Sequence, residues 1–223
     1  MKQWRMYGIA RATHRKRWEL LIILIMAVTM HGFGCVDDPS GPSMTILVCP
    51  GEPDIFMMGQ SNANSDLARA IRDETQKSIH QINHGGQPIQ RWLEAPYRWL
   101  DMDLAFLSGR TFPYFIWFQG EANVGAGEKV GGPPTYYEQK LMTIIDAISP
   151  GWTPQVIIVG IWREDMDASG FRIFQQEMCN RHENFHFVDS RELPRSDGVH
   201  LTGNGQRMLA RRINQLLLTL ESR

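Results

Sequence analysis

The sequence predicts a three-layer α/β/α sandwich built on a mainly parallel central sheet, and three observations lead there. Short apolar runs, bounded by Gly, Pro or polar residues, alternate with longer stretches whose apolar residues recur at three and four positions. A chain of 223 residues, 43% hydrophobic and 21% charged, is sized and composed for one globular domain with a real core. Strand alternating with helix to the C-terminus calls for crossover connections, which cover a parallel sheet on both faces.

The first 35 residues stand apart from that pattern. Lys2, Arg5, Arg11, Arg15, Lys16 and Arg17 are six positive charges with no acid before Glu19. Without those seven residues, 17 positive side chains face 23 negative ones, so a net charge of -1 hides a basic head on an acidic body. An acidic body has no broad positive field to hold nucleic-acid phosphates, and no nucleic-acid partner is expected. The apolar run "LLIILIMAVTM", Leu20 to Met30, is shorter than the ~20 residues of a membrane-spanning helix. Basic head, short apolar run and then "HGFGC" are the layout of a secretory signal over residues 1–35. Gly34-Cys35 resembles the end of a bacterial lipobox, which implies a lipid on Cys35, although Gly32 departs from the larger aliphatic residue usual at its position. An ordinary cleaved signal and a short uncleaved anchor are the alternatives. The expected location is the periplasm or cell surface, with membrane contact only through this signal or its lipid. If Cys35 is lipidated, Cys49 and Cys179 are left as a candidate disulfide, a pairing that spacing does not decide.

Residues 36–43, "VDDPSGPS", read as a flexible tether, and residues 44–223 as the domain proper. Within it, "DIFMMG" (54–59), "SIHQIN" (78–83), "FPYFIWF" (112–118), "QVIIVGIW" (155–162) and "FHFVD" (185–189) are short, β-branched or aromatic, and read as strands; "TILVC" adds another. Between and after them, "DLARAIRDETQ", "YYEQKLMTIIDAI", "SGFRIFQQEMCNR" and "GNGQRMLARRINQLLLTLES" carry the spacing of amphipathic helices.

In such sheets ligands sit beyond the carboxyl ends of the strands, and Ser61 lies just past one, in "MMGQSNANS". A serine hydroxyl attacks only when a base takes its proton and an acid orients that base. Near the other end of the chain, "SDGVHLTGNGQRM" holds Asp197 and His200 three apart in one Gly-containing loop before the last helix. One loop thus offers an imidazole and a carboxylate to a single cleft.

Four blocks in this order, "GQSN" at Ser61, "GGQPIQRW" at Gly85 to Trp92, "WFQGEAN" at Trp117 to Asn123 and "DGVHLT" at Asp197 to Thr202, resemble those of the SGNH hydrolases. The branch they look most like is the sialate O-acetylesterase-like carbohydrate acetylesterases, whose sandwich is of the SGNH, flavodoxin-like type. The resemblance implies Ser61 as nucleophile, His200 as general base and then acid, and Asp197 as its orienting group. It implies an oxyanion hole made of the Ser61 backbone N–H, a glycine of the second block (Gly86 rather than Gly85) and a side-chain amide, Gln119 first and Asn123 second. Gln60 and Trp92 are expected to line the substrate pocket. The expected substrate is an acetylated carbohydrate, with no metal or organic cofactor. The alternatives are a lipase, thioesterase or acyltransferase on the same triad, or a non-catalytic glycan-binding module.

Each residue also has a plainer reading. Ser61 suits a turn or helix cap, and Asp197 and His200 a solvated loop. Glu121 lacks the facing carboxylate of a glycosidase and reads as a hydrogen-bonding residue of its loop. His182 and His186 have metal-like spacing, but the second falls in a strand and no HExxH pattern is present. The remaining tryptophans read as scaffold, and "GAGEKVGGPP" (125–134) as a mobile loop beside the cleft rather than a phosphate loop.

Overall fold

The computed structural model describes residues 36–38, 44–48, 51–95, 98–107, 109–125, 134–164 and 168–223. The expected signal, Cys35, Cys49, the tether beyond Asp38 and most of the Gly-rich loop at 126–133 lie outside the described residues. The strands are β1 (Val36–Asp38), β2 (Met44–Val48), β3 (Ile55–Gly59), β4 (Ile79–His84), β5 (Tyr114–Phe118), β6 (Gln155–Gly160) and β7 (Phe185–Asp189). The helices are α1 (Ser65–Thr75), α2 (Gln90–Leu93), α3 (Trp99–Leu107), α4 (Glu121–Gly125), α5 (Pro134–Ile148), α6 (Ser169–Arg181) and α7 (Gly203–Glu221).

One sheet runs in the order β1-β2-β4-β3-β5-β6-β7. From β4 to β7 every pairing is parallel, and β2 joins antiparallel at β4, so the sheet is mainly parallel as the alternating pattern predicts. Val36–Asp38 enters the sheet as its edge strand, where the sequence reads the start of a tether. Strands β3, β4 and β5 are buried along their whole length, which is why β3 and β5 read as apolar runs rather than alternating ones, while β4 buries polar side chains that find partners.

Strand parity divides the core. Phe56 and Met58 of β3, Trp117 of β5 and Ile158 of β6 share one cluster with Trp92 of α2, Leu141 and Ile144 of α5 and Met178 of α6. The intervening residues Ile55, Met57, Ile116 and Ile157 are equally buried and point the other way, on the side of α1 and α7, which pack against each other. Helices therefore cover both faces, giving the three layers. Cys179 of α6 is a free thiol buried in the first cluster, where loss of solvation pushes it up to about 12.

Helices α2, α3 and α4 carry no clear sequence pattern. Two have only four and five residues, too short for a period to register, and α3 buries Asp103 along with Leu100 and Leu107. His84 of β4 explains that acid, since its Nε2 lies 2.9 Å from Asp103 Oδ1 while its ring stacks on Trp99.

Candidate active site

Ser61 follows the end of β3 in a loop pinned by its neighbours. Gly59 is required there because a Cβ would overlap the Phe118 carbonyl of β5. Gln60 N–H donates to the same Phe118 carbonyl at 3.0 Å, while Gln60 Oε1 accepts from Gly120 N (2.9 Å) and Ala122 N (3.3 Å). From β4, Asn83 Nδ2 donates to Gln60 O (3.2 Å) and Gln81 Nε2 to Ala63 O (2.8 Å), so carbonyls on both sides of Ser61 are held. Asn64 caps α1 by accepting from Leu67 N at 3.0 Å and donates to Ser61 O at 3.0 Å. Gln81 and Asn83 of "IHQINH" thus serve the loop with their side chains.

The second loop is built around Asp197. Its Oδ1 accepts from Val199 N (3.1 Å) and His200 N (2.7 Å), and its Oδ2 lies 2.6 Å from His200 Nδ1. Gly198 turns the chain with φ +76°, a conformation that favours glycine. The imidazole bond and the two backbone N–H groups hold the Asp197 carboxyl down to about 2. A carboxylate at Nδ1 makes that nitrogen the donor and leaves Nε2 to accept, and Nε2 stands 2.8 Å from Ser61 Oγ. The structure therefore brings Ser61, His200 and Asp197 into one hydrogen-bonded chain, at a solvent-open edge where His200 and Asp197 are about half exposed. Thr202 then caps α7 by accepting from Gly205 N at 3.2 Å.

The other expected site residues divide. Gly59 pairs with Asn83, so Ser61 and Gly85 stand level beyond neighbouring strand ends. Gly86 is exposed with φ +67°, and neither its N–H nor that of Ser61 donates to another described residue. Gln119 is placed differently from the expectation. It is fully buried, and its Nε2 donates to Gln87 O at 3.2 Å and to Asn123 Oδ1, which uses both amide hydrogens. Asn123 Oδ1 also accepts from Ile89 N at 3.1 Å, so two donors hold this oxygen, and Nδ2 makes a long 3.4 Å bond to Gln90 Oε1. Asn123 rather than Gln119 thus keeps an amide hydrogen uncommitted among the described residues.

Two pocket expectations are corrected. Gln60 is 2% exposed and spends its side chain on the Gly120 and Ala122 amides, so it shapes the loop and does not line a pocket. Trp92 is fully buried, edge-on to Trp117 and to His84, because its face of α2 turns into the core.

Asn62 is the residue the sequence reading passed over. It is buried beside Ser61 and bonds to Glu121, Val199 and Leu201. The only hint in sequence is a second polar residue after the serine. Glu121 is a hydrogen-bonding residue of its loop, as read, and burial lifts its carboxyl above the usual range. His182 pairs with Glu138 at 2.8 Å and His186 with Gln155 at 2.7 Å, so the two histidines serve different contacts.

The family model for carbohydrate esterase, sialic acid-specific acetylesterase matches residues 64–219, a span that holds Asp197 and His200 and begins three residues after Ser61. A search of curated proteins finds no match. Among solved structures, a protein from Arabidopsis thaliana is 20% identical with a TM-score of 0.51, over 69% of this chain and 66% of that one. The family 3 carbohydrate esterase of Clostridium thermocellum is 14% identical with a TM-score of 0.54, over 76% of this chain and 98% of that one. The C-terminal catalytic domain of Streptococcus pneumoniae peptidoglycan O-acetyltransferase A, bearing a methylsulfonyl adduct, is 16% identical with a TM-score of 0.53, over 77% and 97%. At these identities the likeness is one of fold.

Proposed function

Because this chain belongs to the sialic acid-specific acetylesterase family of carbohydrate esterases, within the SGNH hydrolases, we propose that it removes O-acetyl groups from carbohydrate esters through Ser61, His200 and Asp197. The observation that carries this reading is the continuous chain from Asp197 Oδ2 to His200 Nδ1 at 2.6 Å and from His200 Nε2 to Ser61 Oγ at 2.8 Å.

Ser61 Oγ attacks the acetyl carbonyl as its proton passes to His200 Nε2. Asp197 keeps the imidazole in the accepting tautomer and stabilises the cation that forms. The Ser61 and Gly86 N–H groups and Asn123 Nδ2 donate to the tetrahedral oxyanion. His200 returns the proton to the departing sugar oxygen, leaving acetyl-Ser61; water, deprotonated by His200, then releases acetate and restores the serine. The basic head and short apolar run support an activity carried out beyond the cytoplasm, with Cys35 as a lipid anchor.

The test is acetate release from acetylated sugars by wild type and Ser61→Ala, with a fluorophosphonate probe read by peptide mass. Ser61→Ala should stay folded and lose several orders of magnitude of turnover, on the order of 10³–10⁶. The probe mass should fall on the peptide that holds Ser61. Wild-type turnover by the alanine variant, or labelling at another residue, would sink the assignment. Supplying a sugar acceptor and measuring acetyl transfer against acetate separates transferase from hydrolase.

A further inference from the structure

The loop of the nucleophile and the loop of the base lie 139 residues apart in sequence, and one small side chain joins them. Asn62 Nδ2 donates to Val199 O at 3.1 Å and to Glu121 Oε1 at 2.9 Å, while its Oδ1 accepts from Leu201 N at 3.0 Å. The residues on either side of His200 are therefore bonded to the residue next to Ser61. We propose that Asn62 is a positioning residue that sets the register between His200 and Ser61, and that Glu121 fixes the orientation of its carboxamide. The proposal rests on Ser61 and His200 being nucleophile and base.

Burial does not hold the base in place, because the side chains of His200 and Asp197 are about half exposed. Within its own loop, Ser196 N donates to His200 O at 2.9 Å, and from the β6 side Glu164 N donates to Gly198 O at 2.8 Å. Neither bond refers His200 to Ser61. Asn62 does so directly, since its own backbone continues that of the nucleophile and its carboxamide reaches both sides of the base. A carboxamide can turn over and exchange its oxygen and nitrogen. Glu121 Oε1 selects one orientation by accepting only from Nδ2, which leaves Oδ1 for Leu201. Glu121 is held in turn, being 4% exposed, with its carbonyl accepting from Arg163 Nη1 at 3.1 Å. With one hydrogen on Glu121 and one on Val199, Asn62 has none unused. Rigid first-contact geometry matters here because a 1 Å misplacement of a reacting group costs about 10²-fold in rate.

The experiment compares Asn62→Ala and the near-isosteric Asn62→Asp with wild type, and Glu121→Gln with Glu121→Met. Both Asn62 variants should lower kcat by roughly 10- to 100-fold with KM within about threefold, and should slow fluorophosphonate labelling of Ser61 in parallel. Hydrogen exchange at the Leu201 amide should speed up in Asn62→Ala, which removes its acceptor, and less in Asn62→Asp, whose carboxylate still accepts from Leu201 N while losing the donor to Val199 O and Glu121 Oε1. Glu121→Gln keeps an acceptor for Nδ2 and should lose less kcat than Glu121→Met, which has none. A folded Asn62→Ala with wild-type kcat and wild-type Leu201 exchange overturns the proposal. If Asn62→Ala does not fold, equal kcat in the two Glu121 variants overturns it. If wild type fails to react at Ser61, the functional reading falls instead, and exchange still decides the clamp: a Leu201 amide as fast in wild type as in folded Asn62→Ala overturns it.

Discussion

Asn123 has its orientation decided by neighbours that sequence proximity does not reveal. Ile89 N–H and the Gln119 amide both bond its oxygen, so its nitrogen is left with one long bond to Gln90 Oε1 and one hydrogen uncommitted among the described residues. Asn123→Ala should lower kcat by roughly 10²–10³, the usual loss of one oxyanion donor, with little change in KM. A larger kcat loss from Gln119→Ala at matched stability would return the donor role to Gln119. Asp197 invites a parallel test. An amide at that position presents a hydrogen to Nδ1 and favours the wrong imidazole tautomer, so Asp197→Asn should cost on the order of 10³–10⁴ in kcat. His200→Ala should cost more, because it removes the base itself; steady-state kinetics on one acetyl ester rank the two.

Strand ends and the loops after them are the level at which the site is assembled. Ser61 follows β3, the Gly85–Gly86 turn follows β4, and the Gln119–Asn123 segment follows β5, three neighbouring parallel strands. Gly59 permits the first of these loops to cross close to β5. Gly59→Ala should therefore force the strands apart at a cost of roughly 1–3 kcal/mol, the usual range for overpacking, measured by chemical denaturation. Glu121 couples this level to pH. Burial raises its carboxyl above the ordinary 4.5, so through that window the folded protein keeps a proton that the unfolded chain has lost. Stability then falls as pH rises, by at most about 1.4 kcal/mol per pH unit. Buried Asp103, also raised, acts in the same direction. Asp197 has the opposite sign: its carboxyl is lowered to about 2, and its contribution is lost as pH falls from the ordinary 3.8 toward that value. Denaturation midpoints at pH 5 and pH 8 should differ less in Glu121→Gln than in wild type.

For the whole molecule, the proposal is a domain exported and held at a membrane by lipid. It rests on the basic head, the short apolar run and Gly34-Cys35. Among the described residues, no helix is long and apolar enough to cross a membrane. Expressed in a bacterium, Cys35→Ser should abolish lipid labelling, and a chain beginning at Ser43 should be soluble and active. That truncated chain retains strands β2 to β7 and every site residue. Intact mass spectrometry that finds residues 1–34 present and Cys35 unmodified in the membrane-bound protein would replace the lipid with a signal anchor, leaving the esterase proposal untouched.

The division between sequence and tertiary structure follows from the range of the forces involved. Periodicity is local, so the strands and the long amphipathic helices were legible, and with them the three layers. The Asp197–His200 pair was legible because three residues and one glycine are enough to make it. Ser61 could be matched to it only through four ordered blocks, since nothing local to "GQSN" says which histidine it meets. Short helices α2 and α4, and α3 with its buried acid, hold their place through packing and were not legible. Donor orientation also had to come from the fold. Which of Gln119 and Asn123 keeps an uncommitted amide hydrogen depends on Gln87, Ile89 and Gln90, thirty or more residues away in sequence. Gln60 and Trp92 looked like pocket residues by adjacency, yet a strand or helix sends neighbouring side chains in different directions, and theirs go inward. The Asn62 clamp is the fullest case, because its partners Glu121, Val199 and Leu201 come together only when β3, β5 and the loop before α7 end at the same edge of the sheet.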